Sequence, residues 1–161
     1  QVCVPLLHEM NEERRQAMGL GELRPWDLGV DVLGRDPLRP FQDSDELIEK
    51  TSSLFKEMDG ELGELFDSMR EGDSLDLDSR KGKAPGGYQY DRERMRRPFI
   101  FMNAVGLQRD VETLLHEAGH AFHALAAQGE DLHHYQHAPL EFCEVASMSM
   151  ELIGNEHLTE F

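Results

Sequence analysis

The stretch TLLHEAGHAF, residues 113–122, constrains how this chain can fold more than any other part of the sequence. Apolar residues recur through it at helical spacing, which predicts a nearly all-buried helix over roughly residues 108–128. Two imidazoles and a carboxylate inside such a helix are costly unless they have partners. The rest of the chain must therefore supply those partners.

The spacing of the polar residues in this helix predicts a metal site. His116 and His120 are four residues apart, so both imidazoles lie on one face, about one turn apart. Glu117 lies about 100° around the helix from His116, which suits a carboxylate that takes a proton from water without binding the metal. His123 is excluded as third ligand, because it lies about 10 Å from His116 along the axis and Zn–N bonds are about 2 Å. The third ligand must come from another segment.

An alternative interpretation is that the histidines are ordinary core residues, since a bare H-E-x-x-H motif also occurs by chance. Gly119 favours the metal-site interpretation over that of ordinary core histidines. A glycine inside a helix costs about 1 kcal/mol relative to alanine. We therefore expect another part of the chain to pack close to the backbone at this position.

A second helix is predicted from HAPLEFCEVASMSMELIGNE, with Pro139 as its first residue and Glu141 as its third. Its carboxylates are the available third ligands. Glu144, which has small residues beside it in the run EVAS, is favoured, and Glu141 is the rival. Glu151 lies two turns beyond Glu144, and we expect it to brace a ligating imidazole. Glu141 is expected to lie near the ligands if it does not bind the metal itself.

The residues after the second histidine separate two classes of zinc protease. A metzincin would need glycine at position 123 and histidine at position 126, where this chain has histidine and alanine. The remaining arrangement is that of the gluzincins, in which two histidines are joined by a glutamate from a following helix.

The segment 72–106 differs in character from the helices around it. Its glycines and Pro85 force turns, and PFIFMN predicts a short strand. One interpretation is a surface hairpin that covers a helical core. The other is an edge strand that hydrogen-bonds an extended peptide. The position of the strand just before the histidine helix favours the second interpretation.

The remaining chain is predicted to be mostly helical. A first helix should stop at Gly19. Prolines and glycines break any regular pattern over 20–42, which we expect to be an extended connector. A long amphipathic helix follows, bent or broken near Gly60 and Gly63. The fold class predicted is mainly α, a helical zincin-like core with a short strand or hairpin bordering its cleft.

Charge and cysteine content narrow the possible partners. There are 16 Lys and Arg against 32 Asp and Glu, a net charge of −16 that repels nucleic acid and anionic membranes. Cys3 and Cys143 show no disulfide-framework spacing, as in a reducing compartment. No apolar run approaches the roughly 18 residues of a membrane helix. We expect a single cytoplasmic domain over 1–161 without nucleic-acid or membrane partners, and part of a longer protein because it opens at Gln1.

These residues resemble a known family. TLLHEAGHAFH followed by PLEFCEVASMSME is similar to the core of the thimet oligopeptidase and oligoendopeptidase F family of zinc metallopeptidases. That family has H-E-x-G-H-x-x-H and then a glutamate about 25 residues later. DLDSRKGKAPGGY and RPFIFMNAVG are similar to the family's K-x-x-G-x-Y segment and active-site strand. The resemblance covers most of residues 20–161.

The resemblance implies a mostly helical fold whose deep channel admits short peptides and keeps folded proteins out. It implies one zinc ion (Zn2+) on His116, His120 and Glu144, with Glu117 as general base and acid. It also implies that the strand over 99–103 and the turn before it border the substrate. The residues expected to do so are Gly86, Gly87, Tyr88, Phe101, Met102 and Asn103.

The sequence departs from the family at its end. The family's tyrosines and histidine that stabilise the oxyanion lie downstream of the zinc-ligand glutamate, and loss of one such donor costs about 100- to 1,000-fold in rate. We therefore expect this chain alone to bind zinc but to cleave peptides poorly, unless a C-terminal region of the same parent chain completes the site. Two alternatives are a zinc- and peptide-binding module without catalysis, and a structural helical fragment without zinc.

Overall fold

The first helix ends where the sequence predicts. In the computed structural model, which describes residues 2–161, α1 covers Cys3–Ala17. Gly19 lies just beyond its cap with φ +65°, a left-handed conformation that glycine adopts without a steric penalty. The chain divides into two compact units, the first ending at Leu38 and the second covering Arg39–Phe161.

The first unit has no core of its own, because none of residues 2–38 is buried. After α1 its only regular element, among the residues described, is a short 3-10 helix at Pro25–Gly29. The guanidinium of Arg14 donates to the backbone carbonyls of Asp27 and Val30 and so fastens this irregular stretch to α1.

The second unit begins with two helices in place of the single long helix predicted. α2 covers Ser44–Met58 and α3 covers Gly60–Glu71. Asp59 stands between them in an extended conformation, and its carboxylate accepts a hydrogen bond from the Glu61 N–H. This N-cap starts a new helix rather than continuing the old one. The predicted break near Gly60 is therefore confirmed.

Within residues 2–161, the strands form one sheet of three with the order β1-β3-β2. β1 is Leu75–Asp78, β2 is Tyr88–Arg92 and β3 is Arg97–Ala104. β1 runs parallel to β3 and β2 runs antiparallel to it. The strand predicted from PFIFMN is present, but the expectation that it is an edge strand is wrong. β3 lies in the middle of the sheet, because β1 pairs with one side of it and β2 with the other. The edge strand nearer the histidine helix is β2.

The remaining helices are α4, Gln108–Ala127, and α5, Leu140–Gly154, with 3-10 turns at His133–Tyr135 and Asn155–Glu160. Pro139 is the cap of α5 and not its first residue, because its ψ of 145° is extended. Proline fixes only φ, so it fits either position. None of the helices within residues 2–161 is long and apolar enough to cross a membrane.

The core of the second unit lies between α2, α3, the sheet and α4. Phe55 packs against Phe66 and Phe122, with ring centroids 5.3 and 4.9 Å apart. α4 is the element most deeply enclosed, as its apolar pattern predicts. Its buried apolar residues are Val111, Leu114, Leu115, Ala118, Ala121 and Phe122.

A buried lysine joins the sheet to the loop that precedes β2. The side chain of Lys83 is 2% exposed. Its ammonium donates to the backbone carbonyls of Asp76, Asp78 and Met102 and to the Asp76 carboxylate. It also lies 4.4 Å from the centre of the Phe101 ring. One cation thus holds β1, β3 and the loop together.

Asp76 provides a test of this arrangement. A hydrogen bond from Arg80 and contacts with Lys83 lower its pKa from 3.8 to about 2. A carboxylate whose pKa is depressed on folding adds stability above its unfolded pKa, and that stability is lost as pH falls through the folded value. We expect Asp76→Asn to lower the melting temperature at pH 7, and the gap from the unmodified protein to narrow between about pH 4 and pH 2.

Thermal melts of both proteins from pH 7 to pH 2.5 would measure this gap. Asp78→Asn is the matched control, because that exposed side chain lies two residues away on the same strand. A gap that stays constant across the acid range would contradict the assignment.

Candidate metal centre

The two helices that carry the predicted ligands touch at a glycine. A Cβ added to Gly119 of α4 would lie 2.6 Å from the Cα of Ser147 and 2.8 Å from the carbonyl oxygen of Ala146, both in α5. Neither backbone atom can move aside as a flexible side chain can. The expectation of close packing at Gly119 is therefore confirmed, and the partner is the helix that carries Glu144.

This close approach brings three side chains to one point. The Nε2 atoms of His116 and His120 are 3.2 Å apart, and Glu144 Oε2 lies 3.4 Å from the first and 3.7 Å from the second. The point equidistant from the three atoms is about 2.0 Å from each, and zinc binds nitrogen and oxygen at about 2.0–2.2 Å. Two imidazoles and one carboxylate, with the fourth corner open, are also the donors of a catalytic zinc site. The residues present therefore fit zinc.

Two of the three donors are held from behind by a second group. Glu151 Oε1 lies 2.6 Å from Nδ1 of His116, which directs Nε2 of the same ring towards the other donors. This is the contact expected for Glu151. Ser147, fully buried, donates to the backbone carbonyl of Glu144 and lies 3.2 Å from its Oε2. Ser147 was missed in the sequence, where its only signal is its position in the small-residue run after Glu144.

Glu117 lies beside the three donors and is 7% exposed. Burial raises the pKa of its carboxyl, whereas electrostatic interaction with His116 and the nearby backbone of Gln89 act in the opposite direction. A carboxylate whose pKa is closer to neutral is a stronger base. Gln89 of β2 thus lies beside the candidate base.

Burial also lowers the pKa of His120, and the negative charge of Glu144 opposes that effect. A lowered pKa keeps the imidazole neutral. The neutral ring is the form that binds a metal.

The other predicted site residues lie in different places. Glu141 is exposed on α5 and is not among the donors that converge. Met102 is 2% exposed in the core, so its side chain faces away from any substrate. Asn103 donates to the carbonyls of Ala84 and Gly86 and so holds the turn before β2.

The turn and the strand around these residues pack closely on each other. The rings of Tyr88 and Phe101 stack with centroids 4.9 Å apart. A Cβ on Gly87 would lie 3.1 Å from the Thr113 side chain, so this turn approaches α4 closely.

The converging donors lie between two hollows. His116, Glu117 and Glu151 line one hollow. His120 and Glu144 line the other, together with residues of β2. We call these two hollows, together with the outer edge of β2, the groove.

Comparison with known proteins places this geometry in a family. The model of peptidase family M3 matches residues 1–161, and the chain belongs to this family. An oligoendopeptidase F homolog of Lactococcus lactis subsp. lactis (strain IL1403) is 27% identical over 159 residues, which cover 96% of this chain and 25% of that protein. The chain thus spans about a quarter of the length of the curated relatives it matches.

Two solved structures have the same fold. One is of a Bacillus anthracis str. Ames protein assigned as an oligoendopeptidase F, with 34% identity and a TM-score of 0.89 over 98% of this chain and 29% of that one. The other is PZ peptidase A with an inhibitor, with 36% identity and a TM-score of 0.88 over 98% of this chain and 28% of that one. The mostly helical fold predicted from the sequence is confirmed.

The contact at Gly119 leads to a prediction. Gly119→Ala forces α5 away from α4, and we expect a loss of about 1–3 kcal/mol of stability, as in other overpacked interiors. Because Glu144 moves with α5, zinc affinity should fall about 10- to 100-fold, as when groups behind a ligand are altered. Thermal melting and competition with a zinc indicator would measure the two effects. Gly60→Ala is the control, since a Cβ there meets nothing within 4 Å. Equal zinc affinity in both variants would contradict this account.

Proposed function

We propose that this chain carries the zinc ligands and the general base of a peptidase that hydrolyses short peptides. One observation carries the proposal: three donor atoms from α4 and α5 converge within 3.2–3.7 Å beside the nearly buried carboxylate of Glu117. The relatives support the substrate class, because the names oligoendopeptidase F and PZ peptidase A describe peptidases.

His116, His120 and Glu144 would hold one zinc ion. When bound, zinc supplies a Lewis acid that polarises a carbonyl and lowers the pKa of water. Glu151 and Ser147 keep two of these ligands in position through the contacts described above.

Glu117 moves the proton. Its carboxylate accepts a proton from the attacking water, so that a hydroxide adds to the peptide carbonyl carbon. It then gives the proton to the departing nitrogen as the C–N bond breaks. The raised pKa of Glu117 suits both steps, because the group must take up a proton and release it again within one turnover.

β2 would hold the peptide. Its outer edge is unpaired within residues 2–161, and an extended peptide can add to such an edge as a further strand. Gln89 lies beside Glu117, so a peptide bound along this edge would pass close to the proposed base. The strand is preceded by Gly86 and Gly87 and begins at Tyr88, and these three residues would border the same peptide.

Replacement of the base tests the mechanism. Glu117→Gln removes proton transfer but leaves the three metal donors intact, so we expect full zinc content and a fall in peptide cleavage of about 100- to 10,000-fold. Metal analysis and a fluorescence-quenched peptide, assayed with and without chelator, measure the two quantities. Glu64→Gln makes the same chemical change at an exposed position on α3 and should behave like the unmodified protein.

Two results would count against the proposal. Cleavage that survives Glu117→Gln would show that another group is the base. Zinc-dependent peptide binding without even the slow cleavage expected of the unmodified chain alone would indicate a binding module instead of a peptidase.

The third ligand has its own test. Glu144→Ala removes the α5 donor, and we expect zinc affinity to fall more than about 100-fold. Glu141→Ala, one turn earlier on the same helix, should leave zinc affinity unchanged because its side chain is exposed and apart from the donors. The opposite result for the two variants would identify Glu141 as the ligand.

A further inference from the structure

The hollow beside His120 has a chemical character that the proposed cleavage reaction does not explain. It holds about 250 Å³ and lies between β2, α4 and the start of α5. Successive side chains of a strand point to opposite faces. Tyr88 stacks on Phe101 on one face of the sheet, so Gln89 and Asp91 lie alternately on the face towards α4 and line this hollow.

Asp91 is the charged group of this hollow that is not a proposed zinc ligand. Its carboxylate is half-buried and accepts one hydrogen bond, at 2.7 Å, from the side-chain amide of Gln89. Within residues 2–161, no lysine, arginine or histidine nitrogen lies within 4 Å of it. Other acids of this protein, such as Asp76 and Asp31, have an arginine partner. Asp91 is therefore oriented but not neutralised.

The neighbouring arginine is directed elsewhere. Arg92 donates to the backbone of Gly72 and Asp73 and to the hydroxyl of Ser74. It also lies over the Phe99 ring, on the opposite face of the sheet from Asp91.

The basic residues that line the hollow are the histidines His120, His123 and His137, with no lysine or arginine. Asp91 also borders a neighbouring hollow lined by Arg92, Arg96 and Arg97, none of which pairs with it, and the chain's net charge of −16 adds a negative field. The Asp91 carboxylate is therefore free to pair with a cationic side chain of a bound peptide.

The hollow is also at the right distance from the base. Gln89, which lies beside Glu117, and Asp91 are two residues apart in β2, which is about 7 Å at roughly 3.3 Å per residue. A peptide added along this strand advances by the same step. Its side chain in the hollow thus belongs to a residue within about two positions of the bond that is cut.

We propose that this hollow, through Asp91, selects peptides with an arginine or lysine close to the scissile bond. The inference rests on the proposed function and names the substrate class of that same groove. A guanidinium can meet the Asp91 carboxylate with two hydrogen bonds, and the neutral amide of Gln89 keeps that carboxylate in place.

The test compares arginine with citrulline, its neutral counterpart of nearly the same shape. One short labelled peptide carries arginine at each position in turn, and a second set carries citrulline at the same positions. Binding to the zinc-loaded Glu117→Gln protein is measured by fluorescence anisotropy, so the readout does not depend on turnover. We expect the arginine peptide to bind about tenfold more tightly at one position near the centre, as for one charge-assisted hydrogen-bonded pair.

Asp91→Asn, added to the same protein, should make the arginine and citrulline peptides bind equally. Glu93→Gln is the matched control, because it removes one negative charge two residues away at an exposed side chain and should preserve the arginine preference. Metal analysis of each variant shows that the zinc donors are intact.

The outcomes separate this inference from the proposed function. Peptides that bind in a zinc-dependent way without an arginine preference, or a preference lost equally in both variants, would overturn the inference alone. Absence of binding by every peptide would overturn the proposed function and this inference together.

Discussion

The contact between Gly119 and the backbone of α5 sets the geometry of the whole centre. Two histidines on one helix can share a metal, but they cannot complete its coordination, and the third donor has to come from a helix more than twenty residues later. A hydrogen atom in place of a side chain lets the two helices approach until Glu144 reaches both imidazoles. The position of every other group at the centre follows from this approach, including those of Ser147 and Glu151.

α4 serves two opposing requirements at once. Its apolar residues fill the core, while its histidines and Glu117 lie at the margin of that core, where desolvation shifts the pKa values of Glu117 and His120. Charged groups at such a margin are costly unless they meet one another. Contacts among the imidazoles and carboxylates offset this cost. One helix can therefore carry both the polar centre and part of the apolar core.

Local patterns were readable from the sequence and non-local pairings were not. The helix of His116, the end of α1 at Gly19 and the break at Gly60 depend on residues within one or two turns, and all were predicted. That something packs close to Gly119 also followed from its cost in a helix, but not that the partner is the backbone of α5. The sheet depends on β1 pairing with a strand more than twenty residues later. The four residues LDLD do not indicate which strand β1 pairs with. For that reason β3 was expected at an edge, and the partners of Ser147 and Lys83 were missed.

Lys83 makes the sheet less sensitive to dissolved salt than the ion pairs on the surface of this protein. Most ion pairs here, such as Arg15 with Glu12, are exposed, and dissolved salt weakens exposed pairs. The Lys83 ammonium is shielded from solvent, paired with the Asp76 carboxylate and surrounded by three backbone carbonyl oxygens, which counterions cannot replace. The strands beside the centre should therefore keep their arrangement at ionic strengths that loosen the outer ion pairs. The proposed attraction of the hollow beside His120 for cations would then weaken in high salt before the sheet beside it loses its shape.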